Sequence, residues 1–191
     1  MHASHSTSNP EIVGHIDGAS RGNPGPAACA VVVKAADGAP LAGFSKLLGE
    51  ATNNVAEYEG LLAALDYALR HHHLRLKVLS DSELLVRQIQ GSYKVKSVDL
   101  KPLHARARQM IGRLETFLIE HVRREQNREA DRLVNQALDA TEAGKSTGKA
   151  RPAPYITFRA SATHHRGVLK LHHDLPLAEG EEVELEIRRK N

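Results

Sequence analysis

Glu11-Ile12-Val13-Gly14-His15-Ile16-Asp17-Gly18-Ala19-Ser20-Arg21-Gly22-Asn23-Pro24-Gly25-Pro26 is the segment from which the architecture can be read. Glu11 to Asp17 is a short apolar strand that ends on a carboxylate. Gly22, Asn23, Pro24, Gly25 and Pro26 punctuate the next stretch, so Gly18 to Pro26 is expected to be a tight loop. Ala27 to Lys34 is apolar and β-branched, hence a second strand. Asp37-Gly38 is a hairpin signal, and Leu41 to Leu48 returns as the third strand. An antiparallel meander results, and its first strand delivers an acid.

Downstream, the periodicity changes. Thr52-Asn53-Asn54 offers helix N-cap chemistry. Val55, Tyr58, Leu62, Leu65 and Leu69 come next at helical spacing, with Glu57 near the first turn. Leu74 to Ser80 is a fourth strand that runs into Asp81. A second helix carries Leu85, Val86 and Ile89 and stops at Gly91. Ser92 to Ser97 connects it, through Lys94 and Lys96, to a third helix over Asp99 to Leu114, whose Pro102 fits only in a first turn. Phe117 to Val122 is a fifth strand. Asn127 is expected to cap a fourth helix with Ala130, Leu133, Val134, Ala137 and Leu138 on one face, and Asp131 stands beside that face. Strands that then alternate with helices call for a mixed α/β sheet flanked by helices.

Four acids therefore sit at the edges of apolar segments: Asp17, Glu57, Asp81 and Asp131. Clustered carboxylates repel one another and lose hydration unless a cation neutralises them. Four of them at one end of a sheet would suit hard divalent cations and metal-assisted phosphate chemistry. Taken singly, each acid reads as an ordinary surface carboxylate.

The composition is compatible with this. The chain has 191 residues, a formal net charge of +3 and 4% aromatic residues without Trp, so its core rests on Leu, Val, Ile and Ala. The mildly basic balance suits a polyanion without demanding one. The single cysteine, Cys29, lies in an apolar strand and reads as a small buried residue rather than a nucleophile. No apolar run approaches a membrane span, and Met1 to Pro10 has no apolar stretch of the secretory kind, so a cytoplasmic location is expected. His71-His72-His73, His164-His165 and His172-His173 read as helix-end or loop residues before metal ligands.

Together the motifs resemble those of type 1 ribonucleases H. Ile16-Asp17-Gly18-Ala19-Ser20-Arg21-Gly22-Asn23-Pro24-Gly25-Pro26, Thr52-Asn53-Asn54-Val55-Ala56-Glu57, Ser80-Asp81-Ser82 and Asn127-Arg128-Glu129-Ala130-Asp131 match that family's four motifs in order. The resemblance implies a five-stranded mixed sheet, three strands antiparallel and then parallel ones, flanked by helices over residues 10–140. It implies hydrolysis of the RNA strand of RNA–DNA hybrids by a two-metal mechanism, leaving 5′-phosphate and 3′-hydroxyl ends. Asp17, Glu57, Asp81 and Asp131 would hold two Mg²⁺ ions, with Mn²⁺ as a substitute. Gly18, Ser20, Gly22, Asn23, Thr52, Asn53 and Asn54 would meet the nucleic acid, and Lys94 and Lys96 would stand in for a missing basic protrusion. That missing protrusion marks a compact, archaeal-like subgroup. There are two other departures. Val122 to Asp131 is too short for the His-bearing loop of many members and carries Arg123, Arg124 and Glu125 instead. Glu83 stands where a Gln is common.

The ends read differently. Residues 1–9 are a polar tail, and 141–154, rich in Gly, Lys, Ala and Pro, are a linker. Residues 155–191 are a small β module with strands at Tyr155 to Arg159, Gly167 to Leu171 and Glu182 to Ile187. It resembles antitoxin-like dimerising modules. At this size it either packs on the main domain or pairs with a second copy as a homodimer. Competing functions are a nuclease of the same fold acting on double-stranded RNA or DNA junctions, and a non-enzymatic binding module with the β tail as its working part.

Overall fold

The computed structural model describes residues 10–146, 156–159, 162–165 and 168–171. The meander forms as expected, from β1 (Ile12–Ser20), β2 (Gly25–Ala35) and β3 (Pro40–Ala51). Its strands are longer than the sequence suggests. Every residue of β1 from Ile12 to Ser20 pairs with β2, so Asp17 lies within the strand, opposite Ala30, instead of ending it. Gly18, Ala19 and Ser20 stay in the ladder, and the tight turn shrinks to residues 21–24. Gly38, at φ +86°, turns the hairpin between β2 and β3, a conformation that suits glycine.

Helix α1 (Asn53–Arg70) starts on Thr52, whose side chain accepts from the Val55 N–H at 3.3 Å. Strand β4 (Arg75–Ser80), helix α2 (Glu83–Ile89), helix α3 (Leu100–Ile111), strand β5 (Thr116–His121) and helix α4 (Arg128–Ser146) complete the main domain. β4 lies parallel to β1, and β5 lies parallel to β4. The five strands form the expected mixed sheet, in the order β5-β4-β1-β2-β3.

Alternation along β2 sends Val31 and Val33 to one face, where Tyr58, Leu61 and Leu65 of α1 and Leu85 of α2 complete a large core. Ala28 and Ala30 point to the other face, under Val134 and Leu138 of α4. Full burial of a leucine such as Leu61 contributes about 1.5–3 kcal/mol. Within the first core the Tyr58 hydroxyl donates to Gln88 Oε1 at 2.8 Å and ties α1 to α2. Cys29 is buried as expected, and burial pushes its thiol up to about 12.

Two expectations about α4 need correction. Asn127 holds the cap position, its carbonyl accepting from the Asp131 N–H at 3.1 Å, but its side chain does not cap: the amide donates to the Ile16 carbonyl at 2.8 Å and to Asp81 Oδ1 at 3.2 Å and so serves the sheet end. The helix also continues to Ser146, through residues 141–146, which the sequence assigns to the linker.

At the C-terminal side, β6 (Ile156–Arg159) adds to the sheet antiparallel to β3, pairing with Gly43 to Lys46 as a sixth strand. This covers an edge that would otherwise expose unpaired backbone groups. β7 (Ala162–His165) and β8 (Val168–Leu171) form a separate hairpin. His164 and His165, expected in a loop, are thus strand residues, because they pair with Leu169 and Val168. The expected strand at Glu182 to Ile187, and most of the surface on which a homodimer would depend, lie outside the described residues. No helix among the described residues is long and apolar enough to cross a membrane.

Candidate active site

Parallel pairing of β1 with β4 sets Ile16 beside Ser80. The next residue on each chain is an acid, so Asp17 and Asp81 arrive side by side. Glu57 comes from the other direction. Gly18 lies directly beneath the start of α1, where a Cβ would fall 2.2 Å from the Ala56 carbonyl carbon and the Glu57 nitrogen. Only glycine permits that approach, and it is what lowers Glu57 onto Asp17. Carboxylate oxygens of Asp17, Glu57 and Asp81 all lie within 4.8 Å of one another.

The electrostatics of this triad are unfavourable for bare carboxylates. Asp17 and Glu57 are each only 6% exposed. Burial, then the charges of Asp81 and Asp131, raises Asp17 to about 7, against the relief given by the Gly18 N–H and Arg124. Burial, then Asp17 and Asp81, also raises Glu57 well above the ordinary glutamate value. Gly18 donates its N–H to Asp17 Oδ1 at 2.9 Å, yet Glu57 Oε2 is buried without a hydrogen-bond donor. Such an orphaned acceptor is costly in a site that holds nothing but protein.

Asp131 stands at the rim. It falls in the first turn of α4, its side chain is 28% exposed, and it is outside the close group of three. Its charge still reaches Asp17. Arg124 grips it through Nε at 3.1 Å and Nη2 at 2.5 Å. Arg124 lies in the short segment between β5 and α4. His121 ends β5, and its Nε2 lies 3.2 Å from the Asp81 carbonyl oxygen.

The other candidates gather at two places. Ser20 donates to the Gly22 carbonyl, and Asn23 Oδ1 accepts from the Asn53 N–H at 3.2 Å. Ser20, Gly22, Asn23, Thr52, Asn53 and Asn54 therefore share one corner, between the β1–β2 turn and the start of α1. Gly18 is different: it is buried under α1, and its N–H serves the acids themselves, donating to Asp17 Oδ1 and relieving Glu57. Lys94 and Lys96 are exposed in the connector beyond α2. Sequence reasoning misses the work of Asn127 on Asp81 and of Arg124 on Asp131. The one signal for Asn127 is its place in the fourth motif. His71 closes α1, with its ring 4.4 Å from that of Tyr67, and among the described residues the acid triad is the only metal-compatible group.

Known proteins show the same arrangement of sequence. Residues 15–137 match the sequence model of a family described as Reverse transcriptase-like. The chain is 43% identical over 147 residues to the bifunctional protein Rv2228c of Mycobacterium tuberculosis, a match that covers 76% of this chain and 40% of that protein. It therefore spans well under half the length of the first curated relatives it matches. It is 41% identical over 125 residues to ribonuclease HI of Halobacterium salinarum, covering 65% of this chain and 63% of that protein. Among solved structures it is similar to LC11-RNase H1, isolated from compost and crystallised with an RNA/DNA hybrid. That likeness has 42% identity and a TM-score of 0.65, over 69% of this chain and 99% of the other.

Proposed function

The chain belongs to the type 1 ribonuclease H family, and from that premise we propose that it is a divalent-metal-dependent endonuclease that hydrolyses the RNA strand of RNA–DNA hybrids. The observation that carries the reading is the triad: three carboxylates within 4.8 Å, two of them buried and raised, with Glu57 Oε2 lacking a donor. A hard cation relieves both the repulsion and the orphaned oxygen, so the residues fit the metal that the family uses. The solved relative that carries an RNA/DNA hybrid supports the choice of substrate.

Asp17, Glu57 and Asp81 would hold Mg²⁺, with Mn²⁺ as a substitute, and Asp131 would complete a two-ion site. Bound there, such ions would supply activation of a water and stabilisation of the leaving 3′-oxygen, which would give 5′-phosphate and 3′-hydroxyl ends. The protein's own groups arrange this. The Gly18 N–H orients Asp17, and the Asn127 amide holds Asp81 against the end of β1. Arg124 fixes Asp131 and presents a guanidinium to a phosphate-bearing substrate. At the neighbouring corner, the exposed amides of Asn23, Asn53 and Asn54 can read a 2′-hydroxyl, which both donates and accepts and so marks RNA. Ser20, Gly22 and Thr52 shape that corner.

Incubating the full chain with labelled RNA–DNA hybrid and Mg²⁺ or Mn²⁺ tests the reading. Cleavage of the RNA strand is expected, with at least ~100-fold loss in Asp17→Asn, because even partners of metal ligands are worth 10–100-fold. Intact hybrid under both metals would overturn it. Preferential cutting of duplex RNA or a four-way DNA junction in parallel reactions would move the assignment to another nuclease of this fold.

A further inference from the structure

Alternation along β1 turns Ile16 into the core under α1 and sends His15 and Asp17 to the opposite face, the one that α4 covers. His15 is half-buried there, opposite Val32 of β2. On the same face Lys34 reaches Glu129, in the first turn of α4, at 2.9 Å. Asn127, the residue before α4, enters over this part of the sheet, since its amide bonds the carbonyl of Ile16, next in the strand to His15.

A side-chain amide has two N–H donors and one acceptor oxygen. Asn127 directs its nitrogen at the Ile16 carbonyl, at 2.8 Å, and at Asp81 Oδ1, at 3.2 Å. Both partners are acceptors, so the amide cannot turn over without setting oxygen against oxygen. Its own oxygen therefore faces away from them. Asn127 is only 1% exposed, yet that Oδ1 has no hydrogen-bond donor. The side chain that stands against the amide is His15. Burial, then Lys34, lowers the imidazole below the ordinary histidine value, while Glu129 and a hydrogen-bonding contact with Asn127 oppose the shift. The ring thus meets the amide without being aligned on Oδ1. A neutral imidazole carries one N–H, which is the group that Oδ1 lacks.

The consequence reaches the acids. Strand register brings Asp81 beside Asp17, and the Asn127 amide is the side-chain donor that holds its carboxylate. An amide with its oxygen end untied can swing, and Asp81 then loses that donor.

We propose that His15 is a positioning residue for the metal site: its ring N–H donates to Asn127 Oδ1, locks the amide and through it holds Asp81. The inference rests on the acids being the metal site. It assigns a role to a residue that lies outside all four motifs.

The side-chain amide protons of Asn127, followed by NMR in the metal-free full chain, report the lock apart from catalysis. They should exchange slowly with water in the wild type and about 10-fold faster in His15→Phe, which keeps a ring but has no N–H. His15→Gln, which keeps an N–H, should restore slow exchange. Melting curves check that each variant folds. Calorimetric Mn²⁺ affinity should fall about 10-fold in His15→Phe and recover in His15→Gln, the effect of a group behind a ligand. In an Asn127→Ala background His15→Phe should cost nothing further, because its effect passes through Asn127. Hybrid cleavage should lose kcat by a similar factor at unchanged KM. Wild-type exchange in His15→Phe, or a loss of Mn²⁺ affinity that adds in full to that of Asn127→Ala, would overturn the proposal. His15→Gln behaving no better than His15→Phe would reduce His15 to packing and end it too. Hybrid left intact by a wild-type protein whose Asn127 protons respond to His15 would overturn the nuclease reading and not the positioning role. Cleavage by a wild-type protein whose Asn127 protons ignore His15 would do the reverse.

Discussion

The two ends of α2 face opposite electrostatic problems. Before its first residue, Asp17, Glu57 and Asp81 crowd together, two of them buried and held away from their ordinary ionisation. Beyond its last, Lys94, Lys101, His104 and Arg108 surround a cleft without a single acid. The acidic end is buried, built by strand register and by a glycine that admits a helix. The basic end is open, built by a helix face and a turn. Charge that is expensive to bury has to be answered from outside, by a small cation at one end. Charge left in water costs little and can answer an extended anion at the other.

Substitutions at the two ends should therefore fail in different ways. Glu57→Gln should reduce hybrid cleavage at least ~100-fold, since it changes a direct metal ligand. It should also raise the melting temperature of metal-free protein near neutral pH, because Gln needs no proton taken up on folding where the raised Glu57 does; an unchanged rate would break the contrast. Arg124→Ala removes the guanidinium that holds Asp131 and should cost roughly 10–100-fold in kcat, the range for residues that orient a ligand. Arg124→Lys should recover part of the rate, which a merely structural role would not require. Lys94→Ala, in the exposed connector that the resemblance assigns to substrate, should lose up to about 10-fold in hybrid affinity and leave kcat at saturating substrate near wild type.

The smallest effect concerns pH. Asp17 is raised in the folded state to about 7, above its unfolded value, so the native protein keeps a proton there that the unfolded chain releases. Its contribution to stability is full below the unfolded value and is lost as pH rises through the folded one. Metal-free protein should melt at progressively lower temperature from about pH 4 to about pH 7. Mg²⁺ should reverse most of that decline near pH 7 by binding the ionised form. A decline equally steep in Asp17→Asn would show that other groups cause it.

The sheet is legible in the sequence because the meander and its helices each have one dominant period, and because the acids carry distinctive neighbours such as Thr52-Asn53-Asn54 before Glu57. Strand ends are less legible. Gly18, Ala19 and Ser20 look like loop residues locally, but the β1–β2 ladder overrides local preference and keeps them in strand. Asn127 looks like a helix cap. Its amide instead serves Ile16 and Asp81, residues 111 and 46 positions away, which local sequence does not encode. The helical spacing of Lys101, His104 and Arg108 is present in the sequence, but only the path of the connector brings Lys94 to that face. The continuation of α4 through residues 141–146 is hidden because Gly144 and the Gly-, Lys-, Ala- and Pro-bearing stretch that follows lack an apolar helical period.

The central claim is that the acids at the start of α2 are a divalent-metal site. A crystal structure of the full chain soaked with Mn²⁺, read by anomalous scattering, addresses it most directly. The expected result is strong density bounded by Asp17, Glu57 and Asp81, with a second peak about 4 Å away toward Asp131 when substrate is bound. Anomalous density confined to other surface acids, with the triad empty at saturating Mn²⁺, would contradict it.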